Sequence, residues 1–199
     1  MGSPLVRPMA IGPTSRTIRR MTSTPHPNGN DRYTHCPRCG AALGLEVRGQ
    51  RERLVCSACR FVFFQNPNVG VAAIVVEDGA VLLTRRGGSF RPGLWDLPGG
   101  FVEYDEDLRD ALIREMREET GLEIEVDRVF EVRSNFFPDR HSVGVWFLAR
   151  RIGGVLAAGD DAVEARFFPL DALPPDEEIA FETDRAVLAM LRAEGLDAS

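Results

Sequence analysis

Three carboxylates, Glu115, Glu118 and Glu119, crowd into five residues directly behind Arg114, with Gly99 and Gly100 upstream and Gly121 just after. If this segment is helical, positions three and four apart share a face. Arg114 then reaches Glu118 one turn on, but one guanidinium cannot neutralise three carboxylates. A hard divalent cation can, because Mg2+ takes oxygen ligands and suits a few carboxylates acting with substrate phosphates. The same spacing also fits a solvated helix face laced with charge pairs, so spacing alone leaves both readings open.

A second constellation holds every cysteine of the chain: Cys36-Pro-Arg-Cys39 and Cys56-Ser-Ala-Cys59, with sixteen residues between the pairs. That separation is the one at which two knuckles converge on a single Zn2+. A tetrahedral four-thiolate shell is closed, which makes the zinc structural. Two disulfides or a redox pair are the alternatives, but no secretory signal accompanies the cysteines and neither pair sits in a βαβ unit. So small a module has little core, so the metal supplies its folding free energy.

Other candidates carry weaker signals. Arg85 and Arg86 end an apolar run and Arg91 follows on a glycine-rich loop, where a guanidinium could hold phosphate bidentately. Phe136 or Phe137 could stack on a nucleobase, although either also fits a core position. His141 stands alone and reads as neither ligand nor base.

The chain that must position these groups has 199 residues, enough for one full domain and a small appendage. It is 44% hydrophobic and 27% charged, with a net charge of -6, so no basic field attracts nucleic acid or an anionic membrane. All 24 basic residues are Arg, which suits bidentate phosphate contact and equally reflects compositional bias. No apolar run approaches the roughly 18 residues of a membrane span, and a soluble, cytoplasmic protein is expected. Residues 1–34 are rich in Pro, Ser and Thr, carry no acid before Asp31 and show no apolar periodicity. They are expected to be disordered. A transit segment, a vector-derived MetGlySer and a start upstream of Met9 or Met21 all fit this stretch.

Beyond the tail, residues 43–55 read as a small hairpin and Arg60–Phe64 as a strand leaving it. After Asn66-Pro67, runs at 69–76 and 81–84 flank Asp78-Gly79 as a tight hairpin. A short strand is expected at 94–97. Leu108, Ala111, Leu112 and Met116 then repeat at helical spacing, with Asp105 or Asp107 as N-cap and Gly121 as C-terminal cap. Strands are expected at 126–132, 143–149 and 165–168, and a terminal helix at 184–194.

Read whole, Gly100, Glu106, Arg114-Glu115-Met116-Arg117-Glu118-Glu119-Thr120-Gly121-Leu122 resembles the Nudix box, G-x5-E-x7-R-E-U-x-E-E-x-G-U with U apolar, at every defined position. Asp105 stands where Gly is common, which alters only the turn into the helix. The four-cysteine module, the Asn-Pro linker and the Glu164–Pro174 segment extend the resemblance over most of residues 35–196, to the zinc-ribbon Nudix hydrolases. That group includes ADP-ribose and FAD pyrophosphatases. The related NADH pyrophosphatases share the order of modules, but their S-Q-P-W-P-F-P signature is replaced here by Ser134-Asn-Phe-Phe-Pro138, which argues against NADH.

The resemblance implies an α/β fold, an αβα sandwich with a mixed sheet, preceded by a small zinc ribbon. The implied domains are a tail at 1–34, a ribbon at 35–65 and a hydrolase domain at 66–199. It implies hydrolysis of the pyrophosphate in a nucleoside diphosphate linked to another group, ADP-ribose first and FAD second. Glu115, Glu118 and Glu119 would hold Mg2+ or Mn2+, helped by the carbonyl of Gly99 or Gly100, with Arg114 orienting them. The general base would be a box Glu or, from late in the chain, Glu164. Arg85, Arg91, Phe136 and Phe137 would touch substrate, and a homodimer fits what is common among such proteins. An alternative of another class is a non-catalytic nucleotide or nucleic-acid binder using the ribbon; the weakly basic ribbon and intact box argue against it.

Overall fold

The structure is a computed structural model that describes residues 33–137 and 140–195. Apart from Tyr33 and Thr34, the segment expected to be disordered lies outside the described residues. Two compact units are present, Met1–Asn66 and Pro67–Ser199.

In the first unit, β1 (Leu43–Arg48) and β2 (Arg51–Cys56) form the expected hairpin, and β3 (Val62–Phe63) adds to β2 antiparallel. Its core cluster is Cys36, Leu43, Leu54 and Cys56 with a few half-buried neighbours, and Val55 is also fully buried. A core of that size leaves most of the stabilisation to whatever joins the four sulfurs.

The second unit contains β4 (Asn68–Glu77), β5 (Ala80–Arg86), β6 (Trp95–Asp96), β7 (Gly99–Phe101), α1 (Leu108–Thr120), β8 (Leu122–Phe136), β9 (His141–Gly154), β10 (Ala162–Pro169) and α2 (Glu182–Glu194). The strands form one seven-stranded sheet in the order β10-β5-β4-β9-β8, with β6 on β5 and β7 on β4. It is mixed, since β4 and β9 run parallel while the other pairs are antiparallel. Strand alternation decides which layer each residue serves. Val71, Ala73 and Val75 of β4 face Ala111, Leu112 and Met116 of α1. Ile74 faces the opposite layer, with Val187, Leu188 and Leu191 of α2. The expected αβα sandwich is the result. Each of those fully buried α2 side chains contributes about 1.5–3 kcal/mol relative to exposure.

The helix ends follow from local chemistry. The Asp107 side chain accepts from the Arg109 N–H at 2.9 Å, and Gly121 sits at φ 67 with its N–H donating to the Arg117 carbonyl. The sequence pattern falls short at the long hairpin, where β8 and β9 exceed the expected strands at both ends. β8 carries irregularities at 123/124, 126/129 and 129/131, which reset the inside–outside alternation and hide the strand from a period-two reading. The expected pattern also misses β7, because two of its three residues are glycines.

Candidate active site

The acidic residues of α1 fan from core to solvent. Glu119 is 6% exposed, Glu115 is half-buried and Glu118 is exposed. The acidic stripe is thus not set apart from the apolar face of α1; its inner edge is part of it, beside Met116 and Thr120. The Gly99 N–H donates to Glu119 Oε2 at 2.9 Å, linking the glycine strand to the helix. A Cβ on Gly100 would fall on the Glu115 carboxylate, so a larger residue there would displace that side chain from its present position.

Arg114 organises the outer face. Its Nε and Nη2 donate to the two oxygens of Glu106, each at 2.8 Å, and Nη1 donates to Glu115 at 2.8 Å and Glu118 at 3.1 Å. Nη2 also reaches the Phe101 carbonyl at 3.3 Å. The Arg114 hydrogen bond holds Glu106 below the usual carboxylate range. Glu106 was legible only as a motif position; its fork with Arg114 explains why a carboxylate stands eight residues before the arginine.

Burial dominates the electrostatics of the inner carboxylates. It pushes Glu119 up to about 9, reinforced by Asp96 and opposed by the Gly99 N–H. Glu115 is raised mainly by burial, with Arg114 pulling it down. Asp96 is raised to about 6 by burial, although Arg86 Nη1 donates to it at 2.6 Å and Thr84 Oγ1 at 3.0 Å. Carboxylates this buried and this close require protons or a cation.

These groups line an open cavity of about 340 Å³. Gly99, Gly100, Glu115 and Glu119 face it, and so do Asp96, Asp160 and Asp161, which the sequence pattern does not single out. The donor set is all oxygen and strongly acidic, which fits a hard divalent cation. Arg86 and Phe137 also line the cavity, together with Arg140 and Phe181. Arg91 is absent from the lining, but its guanidinium lies 5.8 Å from the Phe137 ring centre and 5.5 Å from that of Phe181.

The lining does not include Arg114 or the exposed Glu118, and three further expected residues lie elsewhere among the described residues. Arg85 points along the sheet, donating to the Gly93 carbonyl at 2.9 Å and lying over Trp95. Glu164, one strand further out on β10, ion-pairs with Arg85 at 3.6 Å and Arg166 at 3.5 Å. Phe136 is 76% exposed and packs edge-on against His141. Strand alternation explains the last case: Phe137, its neighbour, faces the cavity and Phe136 faces away.

In the ribbon, all four cysteine sulfurs lie within 4.8 Å of one another, and no disulfide joins them. Cys36–Cys59, Cys39–Cys56 and Cys39–Cys59 sulfurs are 3.7, 3.5 and 3.6 Å apart. Four sulfurs each about 2.3 Å from one zinc would stand about 3.8 Å apart at the corners of a tetrahedron. The Cys59 N–H donates to Cys56 Sγ at 3.3 Å and draws that thiol below its usual range.

Comparison with known proteins follows this division. A profile of the NUDIX domain matches residues 65–190, and one described as Nudix N-terminal, a zinc ribbon, matches 34–65. Among curated proteins, the ADP-ribose pyrophosphatase of Methanocaldococcus jannaschii is 38% identical over 137 residues, 67% of this chain and 78% of that protein. The NAD-capped RNA hydrolase NudC of Pseudomonas aeruginosa is 32% identical over 142 residues, 70% of this chain but 49% of that protein. Thus the chain spans about half the length of its NudC relative. A crystal structure of a NUDIX hydrolase from Nitrosomonas europaea superposes with a TM-score of 0.73 at 29% identity, covering 81% of this chain and 92% of that one.

Proposed function

Because the chain belongs to the Nudix hydrolase family and carries its N-terminal ribbon, we propose that it hydrolyses ADP-ribose in the presence of Mg2+ or Mn2+, with FAD the second substrate. Pyrophosphate hydrolysis of nucleotide derivatives is the activity of the family, and it requires a divalent metal. The observation that carries the narrower reading is the convergence of Glu115, Glu119, Asp96, Asp160 and Asp161 on one cavity that also presents Arg86 and three phenylalanines, Phe101, Phe137 and Phe181. Likeness to the archaeal ADP-ribose pyrophosphatase supports the order of substrates.

In this proposal Glu115, Glu118 and Glu119 hold the cation, with a carbonyl of Gly99 or Gly100. When bound, such a cation neutralises pyrophosphate charge and lowers the pKa of a bound water. Arg114 keeps Glu115 and Glu118 oriented. Arg86, fixed by Asp96 and by the Phe90 carbonyl at 2.9 Å, offers its remaining guanidinium edge to phosphate. For the base we favour the cavity-lining Asp160 or Asp161, or a box glutamate, over Glu164, whose carboxylate is engaged by Arg85 and Arg166. Water adds across the anhydride, and ADP-ribose yields AMP and ribose 5-phosphate. The ribbon cysteines Cys36, Cys39, Cys56 and Cys59 hold structural Zn2+. A homodimer belongs to the same reading, supported by the exposed Val129, Val132 and Phe136 of the outer strand β8; sedimentation velocity tests it, and a monomer at assay concentration overturns it.

The test of function is kcat/KM across ADP-ribose, FAD, NADH, NAD-capped RNA and nucleoside triphosphates, with Mg2+ and Mn2+, because that ratio measures discrimination between competing substrates. ADP-ribose is expected to lead. Preference for NADH or the capped RNA would move this chain toward the NudC relatives, and preference for a triphosphate would refute the diphosphate reading.

A further inference from the structure

The cavity has two chemically different ends. One is the acidic end just described. The other is formed where the end of β8, the start of β9 and the first turn of α2 meet, and it presents Asn135, Phe137, Ser142, Phe181 and Thr183, bordered by Asp184 and by Arg140, whose guanidinium lies 5.7 Å from the Phe137 ring centre. None of the five inside that border is charged at neutral pH, and two are aromatic rings 6.1 Å apart at a steep angle.

Within that end one hydrogen bond fixes the polarity of two side chains. Thr183 Oγ1 donates to Asn135 Oδ1 at 2.8 Å. The Thr183 hydrogen is therefore committed, and its oxygen presents only lone pairs. The Asn135 carbonyl is likewise engaged, so its remaining hydrogen-bonding group is the Nδ2 amide, which has no partner among the described residues. The two side chains together offer one N–H donor and one oxygen acceptor, side by side. The turn that carries Thr183 is anchored: Asp184, 3% exposed, accepts from Trp146 Nε1 at 3.0 Å and from the Leu97 N–H at 3.4 Å. The backbone that carries Thr183 is thus held on packed elements.

We propose that Asn135 and Thr183 read the edge of a planar ring that lies face-on to one of Phe137 and Phe181 and edge-on to the other, selecting one with a ring acceptor beside an exocyclic N–H donor. This deepens the proposed function and rests on it, by naming residues that choose the nucleobase. Adenine presents that edge, through its ring nitrogen and 6-amino group. A nicotinamide carboxamide presents the same chemistry through its C=O and NH2. Hypoxanthine presents the reverse, a ring N–H beside a carbonyl, and leaves both protein groups mismatched. Sites built to pair a polar edge reject the mismatched analogue strongly, because buried groups are then left unpaired.

The test uses calorimetric binding of AMP, IMP and nicotinamide mononucleotide to the full chain with Mg2+ present. These monophosphates have no anhydride, so the result does not depend on turnover and separates this inference from the pyrophosphatase reading. AMP is expected to bind at least about tenfold more tightly than IMP. Asn135→Asp replaces the donor with an acceptor at constant shape, and Thr183→Val removes the acceptor at nearly constant volume; each is expected to bring the AMP to IMP ratio close to one. Tighter binding of nicotinamide mononucleotide than of AMP, lost in the same variants, assigns the edge to the carboxamide. Equal binding of AMP and IMP by the unaltered protein, or an unchanged ratio in both folded variants, overturns the inference while leaving the hydrolysis assay to stand or fall by itself.

Discussion

Glu119 couples the helix to the glycine strand, and its carboxyl is pushed up to about 9 by burial and by Asp96. In the proposed site, a cation entering the acidic end would replace that proton. Glu119→Gln keeps the shape and the Gly99 contact but removes the charge, so kcat is expected to fall by about a hundredfold or more at saturating Mg2+, with an unchanged circular dichroism spectrum. Full activity in this variant would remove Glu119 from the metal site. Asp184 makes a separate prediction about stability. Its carboxyl is raised from 3.8 to about 7, first by burial and then by Asp96. A raised acid binds its proton more tightly in the fold than unfolded, so its contribution is full below 3.8, falls as pH rises towards about 7, and is flat above. Denaturant midpoints should therefore be higher at pH 5 than at pH 8, and Asp184→Asn should flatten that slope; an equal slope in the variant would assign it to other groups. The box acids were legible because one motif holds them on one helix. Asp96, Asp160, Asn135 and Thr183 were not, because each comes from a different element and only folding brings them to one cavity.

At the scale of elements, the sequence announces α1 at both ends because each end is decided by one side chain or one glycine. Gly121 is left-handed at φ 67, and a Cβ there would stand 2.6 Å from the Val155 carbonyl oxygen. Gly79, in the β4–β5 turn, is also left-handed at φ 73 but has open space around it. Gly79→Ala should therefore lose only the backbone cost of about 1–2 kcal/mol. Gly121→Ala should lose clearly more, since the clash adds to that cost; thermal melts of the two variants measure the difference, and equal losses would mean that the Val155 carbonyl moves aside freely. The bulged β8 shows the limit of pattern reading. Its register is set by pairing with β9: residues 122–125 and 131–136 each alternate in burial, and the irregularities between them break the phase.

For the molecule as a whole, the layering is already written in β4, whose odd and even residues divide between the α1 and α2 layers. The chain divides after Asn66 into the unit that holds the cysteine pairs and a larger unit. Their cores differ greatly in size, so they should respond differently to loss of metal. Chelation, or Cys36→Ser, is expected to abolish a low-amplitude unfolding transition belonging to the ribbon while the main transition persists, with one zinc per chain lost in metal analysis. A single transition that shifts as a whole would show that the two units unfold together.

The parallel pairing of β4 with β9 sets Asn68 opposite Ser142 and Val75 opposite Ala149, so the sheet closes only after the long intervening stretch, α1 included, has been made. Pairings so distant in sequence are slow, whereas α1 and the β4–β5 hairpin depend on near neighbours. On the ribosome the acidic helix accordingly emerges well before the segment carrying Phe181, Thr183 and Asp184. A nascent chain ending before Glu182 holds the whole glutamate-rich box but lacks Thr183, Asp184 and the Val187, Leu188 and Leu191 side chains of α2, so the layer opposite α1 is the last part of the core to be completed.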